Sequence, residues 1–345
     1  MLAHGPVQVA QNKLLHTAFE LLLPLAAFVV VCALAYGLLT GDVMYASGLG
    51  AAAVGLAMFR SLLRLMPATF SEIGLRGLIE PREVTYGAFL EETEAQINGR
   101  GALLFSFLLV LLVGTVTRAV TASADTALPP LAVVTGLGLE LIIALISAVA
   151  LTRMGVIGWQ IARLARRFTL RVHPGHPDGC GGFRGIGTLC LVSGLILTVP
   201  GVWLGFWLLA APTFGYGSTY LVQHSVLAIV TLGLAVAAFG LPLYEMHRAM
   251  LRDTVSLRSN VRILEQQLGQ STRALLLDAS NLEAGIDDRL EKLNTQRDFY
   301  AQHHHIPTWP IRASRPLLFA ALQAVPTTAV AERVIGPLLG GIDGS

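Results

Sequence analysis

Residues Ile186 to Ala211 read IGTLCLVSGLILTVPGVWLGFWLLAA, a run with no charged side chain. At 1.5 Å per residue, a helix of this stretch is about 39 Å long, more than the roughly 30 Å of hydrocarbon in a bilayer. It points to an all-α integral membrane protein. Five further segments are long and apolar enough to be spans: Thr17 to Thr40, Val43 to Leu65, Gly101 to Thr121, Leu128 to Arg153 and Leu221 to Met246. The first is longer than a signal-peptide core and lacks a clear small-residue cleavage site, so it is expected to stay as the first helix. Six transmembrane helices follow, spanning 17–246.

Composition agrees with this. Hydrophobic residues are 54% of the chain and charged residues 13%, against about 25% charged in an ordinary soluble domain. The apolar residues fall in long blocks, whereas barrel strands read as alternating segments of about ten. A net charge of +2 is too small to imply nucleic-acid binding, so the bilayer is the expected partner. Cys32, Cys180 and Cys190 are an odd set, two of them in or beside apolar runs, and read as reduced thiols rather than a disulfide framework.

Orientation follows from arginine, which collects in short cytoplasmic loops. Arg60, Arg64, Arg76, Arg82 and Arg100 cluster after the second span, and Arg153, Arg163, Arg166, Arg167, Arg171 and Arg184 after the fourth. The loops after spans one and five have no Lys or Arg, and that after span three has only Arg118 at its edge. One alternating topology satisfies every loop, with residues 1–16 and the C-terminus in the cytoplasm of a bacterial inner membrane.

The first inner loop is expected to hold a short amphipathic helix starting near Pro81, its acidic face carrying Glu91, Glu92 and Glu94. Trp159 to Phe168 alternates apolar residues with arginine, as an interfacial helix or an extension of span four would, with anionic headgroups as its expected partner. After span six, 247–300 is charged and helix-prone. Leu257, Val261, Leu264, Leu268, Leu275 and Leu282 mark an imperfect heptad seam, which suits a coiled coil between subunits, a homo-oligomer, or helices folding back within one chain. His303, His304 and His305 read as a solvated helix end or an adventitious metal binder. The segment 301–345, apolar from Pro316 to Ile342 but broken by Pro326, Glu332, Arg333 and Pro337, is expected as a helix against the inner face, with a seventh span as the alternative.

Two places invite a functional reading. The string His173-Pro174-Gly175-His176-Pro177-Asp178-Gly179-Cys180-Gly181-Gly182-Phe183 lies at the inner entrance to span five. Glycines at Gly179, Gly181 and Gly182 let backbone amides approach a ligand or another helix, and Asp178 is placed to cap the next helix. A capped turn and an ion- or headgroup-binding turn using His173, His176 and Asp178 both remain open. The crowded spacing of His173, His176, Asp178 and Cys180 matches no established zinc pattern, which leaves a metal role undetermined. The second place is Glu140, near the middle of span four, where a carboxylate costs about 2.5 to 3.5 kcal/mol unless paired, hydrated or protonated. An ion or proton pathway and a structural bond to another helix both fit, with Arg118 a candidate partner. Gly194, Gly201 and Gly205 with Pro200 suggest close helix packing and a kink.

The His-Pro-Asp-Gly-x-Gly-Gly string, with the later Pro307-Thr308-Trp309-Pro310, resembles a group of bacterial multi-spanning membrane proteins over the region from span three to the C-terminus. Phe183 stands where leucine is usual in that group. The resemblance implies a multi-span membrane protein and carries no activity, cofactor or site residue with it. No nucleotide, dinucleotide, nucleophile-elbow or zinc-protease motif is present, and no cofactor is expected. Three functions remain: an oligomeric channel or conduit with Glu140 near its path, a membrane-anchored sensor or scaffold whose cytoplasmic helices bind a protein, and an intramembrane lipid-acting enzyme using His176 and Asp178.

Overall fold

Apolar blocks of this length leave the backbone one way to satisfy its own hydrogen bonds in lipid, which is the helix. The computed structural model describes residues 24–79, 83–97, 99, 101, 104–108, 111, 130–173, 176–214, 218–277, 291–292, 294–295, 298, 308–311 and 314–335, less positions 33 and 38. Among them the regular elements are helices: α1 (Pro24–Gly37), α2 (Val43–Leu75), α3 (Glu83–Ile97), α4 (Pro130–Arg167), α5 (Arg184–Ala210), α6 (Ser218–Leu277) and α7 (Ser314–Val330). A 3-10 turn, Ala211–Phe214, extends α5, and a π-helical turn, Ala331–Ile335, extends α7. An isolated antiparallel bridge joins Ile79 to Leu170.

Four stretches are long and apolar enough to cross a membrane: Val43–Leu75, Ala144–Arg167, Arg184–Phe214 and His224–Gln267. The first and third of the six expected spans are not among them. The first appears as the shorter α1. In the third, only positions 101, 104–108 and 111 are described.

Helix ends differ from the expected boundaries. The second span continues past Leu65 to Leu75, through Pro67. The fourth continues past Arg153 to Arg167, so the Trp159 stretch is an extension of the span rather than a separate interfacial helix. Leu, Met, Ala and Arg are good helix formers, and nothing in either stretch stops the helix until the Gly77 turn (φ 64°) and the break at Phe168. The sixth span runs without a break into the expected cytoplasmic segment: α6 is one helix of 60 residues.

Helix α5 is the hub of the bundle. It ascends from Arg184, the arginine end, to Trp203 and Trp207, the tryptophan end. Glycines set its register with each neighbour. A Cβ at Gly185 would lie 2.8 Å from Thr69 of α2, and one at Gly194 would lie 2.9 Å from Phe239 of α6. Trp203 fills the space at Gly48, and both Trp203 and Trp207 donate their indole N–H to Ser47 Oγ at 2.9 Å. Ser47 Oγ in turn donates to Met44 O at 2.8 Å. Helices α2, α4 and α6 thus descend toward the arginine end as α5 ascends.

The C-terminal segment departs most from expectation. Instead of lying across the arginine end, α7 runs parallel to α5 along its length. Pro310 and Ile311 cover Gly187, Phe319 covers Gly194 and stacks on Phe239 at 4.5 Å, and Pro326 covers Gly205. Arg333 Nη2 reaches Leu209 O at 3.5 Å. The close packing expected at Gly194 and Gly205 is the groove that α7 fills. Gln323 Nε2 donates to Thr198 Oγ1, a buried bond that ties the two helices at mid-length. Where the chain enters this groove, Trp309 stacks on His247 of α6 at 3.9 Å, and His247 Nδ1 lies 2.7 Å from Thr308 O.

Candidate functional site at the arginine end

Two loops build this end. After α2, Gly77 takes a left-handed φ of 64°, which lets Leu78 N–H donate back to Ile73 O at 3.3 Å and turns Leu78 inward. After α4, Leu170 bridges to Ile79, Arg171 N–H donates to Leu78 O at 2.8 Å, and Val172 N–H donates to Asp253 Oδ2 of α6 at 2.7 Å. The Gly-rich string follows from this anchored strand-like stretch.

Gly179, Gly181 and Gly182 have φ of 66°, 64° and 96°, which side chains with a Cβ rarely adopt. Leu78 presses into the space at Gly182, where a Cβ would lie 2.6 Å from its methyl. These conformations turn backbone amides inward onto Asp178. Its Oδ1 accepts from Cys180 N–H at 2.7 Å and Gly182 N–H at 3.1 Å, and its Oδ2 accepts from Arg184 N–H, the first turn of α5, at 3.3 Å. His176 Nδ1 is 2.9 Å from Oδ1. Burial pushes the Asp178 carboxyl upward, but the amide bonds of Cys180 and Gly182, the His176 bond and the Arg184 amide outweigh it and hold the group below its ordinary value. His176 Nε2 is 3.2 Å from Arg76 Nη1, and Arg76 also pairs with Glu72. The tautomer assigned from these partners has Nδ1–H facing the carboxylate and Nε2 accepting from arginine.

The expected cap by Asp178 is therefore present and wider than one bond, because the carboxylate closes the whole turn. The amides that the sequence offers to an anion already hold this side chain. His173 is exposed, and its N–H donates to Gly181 O at 3.2 Å. Among the described residues, no three His, Cys, Asp or Glu side chains are grouped to hold a metal ion.

Glu140 lies on α4, 13 positions before Arg153, or about 20 Å further from the arginine end at helical rise. Arg118 lies outside the described residues, and so do Leu282 and His303 to His305. The half-buried charges within the span-length helices include Arg60 and Arg153. Nine positions separate Arg60 from Thr69, the residue level with Gly185, which sets Arg60 about 14 Å up the bundle. Arg153 is five positions before Gly158, which packs on Pro242, one turn from Phe239 at the level of Gly194. Both are half-buried, and Arg60 Nε is buried without a hydrogen-bond partner among the described residues.

Sequence reasoning missed the ion pairs that close this end. Glu92 of α3 binds Arg163 at 2.6 Å and Arg167 at 3.6 Å. The Arg163 bond, opposed by desolvation and helped by the charges of Arg163 and Arg167, holds the Glu92 carboxyl below its ordinary value. Tyr86 donates to Phe70 O at 2.6 Å and packs with Phe89 and Phe168, and burial raises its hydroxyl pKa. The signal was present: an acidic run on α3 meets a basic run at the end of α4.

No family model, curated protein or solved structure matches this chain. What the protein does is read from its geometry.

Proposed function

We propose that the protein is a membrane-embedded scaffold of a bacterial inner membrane, its arginine end in the cytoplasm, that presents α6 to a helical protein partner or to a second copy of itself. The observation that carries this reading is the continuity of α6. It packs against α4 and α5 up to Asp253 and Thr254, then continues to Leu277, a projection of about 35 Å beyond the bundle. An unbroken helix transmits position rigidly from a packed anchor. The projecting part carries exposed Val255 and Ile263 among charged residues, as an interaction surface does.

Photo-crosslinkers at Ser259 and Gln266, exposed on the same face of α6, are expected to trap a discrete protein adduct in membranes, and V255E/I263E to abolish it while leaving the anchor folded. Unchanged adduct formation in the double variant would remove the reading.

A conduit between subunits is the second reading, favoured by Arg60 and Arg153 at bilayer depth. Arginines there suit anions, whereas Glu140 lies about 20 Å further along its helix than Arg153. Reconstituted protein should then pass chloride over potassium, with R153Q reducing the preference. No chloride conductance, or one indifferent to R153Q, would set this reading aside.

A further inference from the structure

At the arginine end, α4 and α6 cross where Gly158 meets Pro242, a Cβ at Gly158 falling 3.2 Å from the proline ring. Beyond the crossing they enclose a cleft of about 250 Å³ lined by Arg166 of α4 and by Glu245, Arg248 and Arg252 of α6. Spacings of three and four put the three α6 residues on one helix face. Arg166 Nη2 donates to Glu245 Oε1 at 2.5 Å, and Arg252 Nη2 donates to Ala165 O, in the last turn of α4, at 3.3 Å. Two of the three guanidinium groups are thus held at the cleft wall, and the lining carries two more positive charges than negative.

The membrane-side border of the cleft is aromatic and apolar. Trp159 is 62% exposed and precedes Arg166 by two turns of α4, on the same face. Tyr244 is 57% exposed and Leu241 66%, one and two turns before Arg248 on α6. Trp and Tyr with open faces sit at headgroup level, where an apolar body and a polar tip are both satisfied. Arginine forks match phosphate oxygens in pairs.

We propose that this cleft binds the phosphate-bearing headgroup of an anionic membrane lipid, its acyl chains lying along Leu241, Tyr244 and Trp159. The inference rests on α4 and α6 crossing the membrane and is independent of what the α6 projection binds. A soluble phosphoester shares the headgroup chemistry but makes no use of the apolar border.

The test uses the purified full chain in neutral detergent, following its unfolding temperature against added phosphatidylglycerol, phosphatidylcholine or glycerol 3-phosphate. Phosphatidylglycerol is expected to raise the temperature saturably, and the other two to leave it unchanged. In R248Q/R252Q the half-effective phosphatidylglycerol concentration should rise about thirtyfold. R258Q/R262Q removes the same charge from positions beyond a Debye length of about 8 Å and should shift it less than about threefold. Native mass spectra counting retained phosphatidylglycerol read the same site without unfolding, and the count should fall in R248Q/R252Q alone. Equal losses in both double variants, an equal response to phosphatidylcholine, or glycerol 3-phosphate acting as well as the lipid would each overturn the proposal.

Discussion

Replacing Asp178 with alanine is expected to lower the unfolding free energy by about 3 kcal/mol, because three backbone N–H groups and the His176 ring lose their common acceptor at once. Water can reach some of the freed amides, which keeps the loss below the sum of the separate bonds. D178N keeps an oxygen acceptor without the charge and should fall between wild type and D178A. The pH dependence has a definite sign. The folded carboxyl titrates below its unfolded value of about 3.9, so its contribution is complete above that pH and is lost as the pH falls through the lower folded value. In D178A the stability difference from wild type should therefore shrink below about pH 4. Equilibrium denaturation in mild detergent measures both. A D178A variant within about 0.5 kcal/mol of wild type, the range of ordinary surface substitutions, would show that the turn holds without its carboxylate.

The second large effect is expected at the groove between α5 and α7. A Cβ at Gly187 would overlap the carbonyl of Pro310, and one at Gly205 would lie 2.8 Å from Pro326 Cα. Backbone atoms cannot step aside as a flexible side chain does, so Gly187→Val and Gly205→Val should each cost about 3 kcal/mol and loosen α7 from the bundle. Limited proteolysis within Ser314–Val330 follows the population of the undocked form and should rise about a hundredfold. Gly55→Val, at a position where a Cβ would meet nothing within 4 Å, is the control and should behave like wild type. Unchanged cleavage in both groove variants would mean that α7 is not held by these contacts.

Much of the fold was legible because it follows from hydropathy alone. The run at Ile186 to Ala211 is the hub helix, α3 forms near where the acidic stretch after Pro81 suggests, and Asp178 caps the start of α5. Helix ends were not legible for a specific reason. Arginine does not mark a loop: Arg60, Arg64 and Arg153 sit within helices that continue for ten or more positions, since arginine is itself a good helix former. The place of the C-terminal helix is hidden because its proline and charges are unfavourable against the bilayer but not against a neighbour. Pro326 has a glycine opposite it and Arg333 a carbonyl. Such compensation depends on a partner surface that the segment itself does not encode. The seven-residue spacing of Gly187, Gly194 and Gly201 on α5 was the available hint. At the Gly-rich string, residue types pointed to the Asp178 cap but not to its bonds with Cys180 and Gly182, which fill the turn from within.

The parallel course of α7 has a mechanical consequence. Helix α6 passes His247 and travels 30 positions further to Leu277, about 45 Å away. Yet Thr308 and Trp309 stand directly beside His247. The two ends of segment 248–307 therefore meet at His247. A lateral load on α6 beyond Thr254 acts on the bundle as a lever acts on a fulcrum, and the fulcrum lies where Thr308 and Trp309 lead into α7.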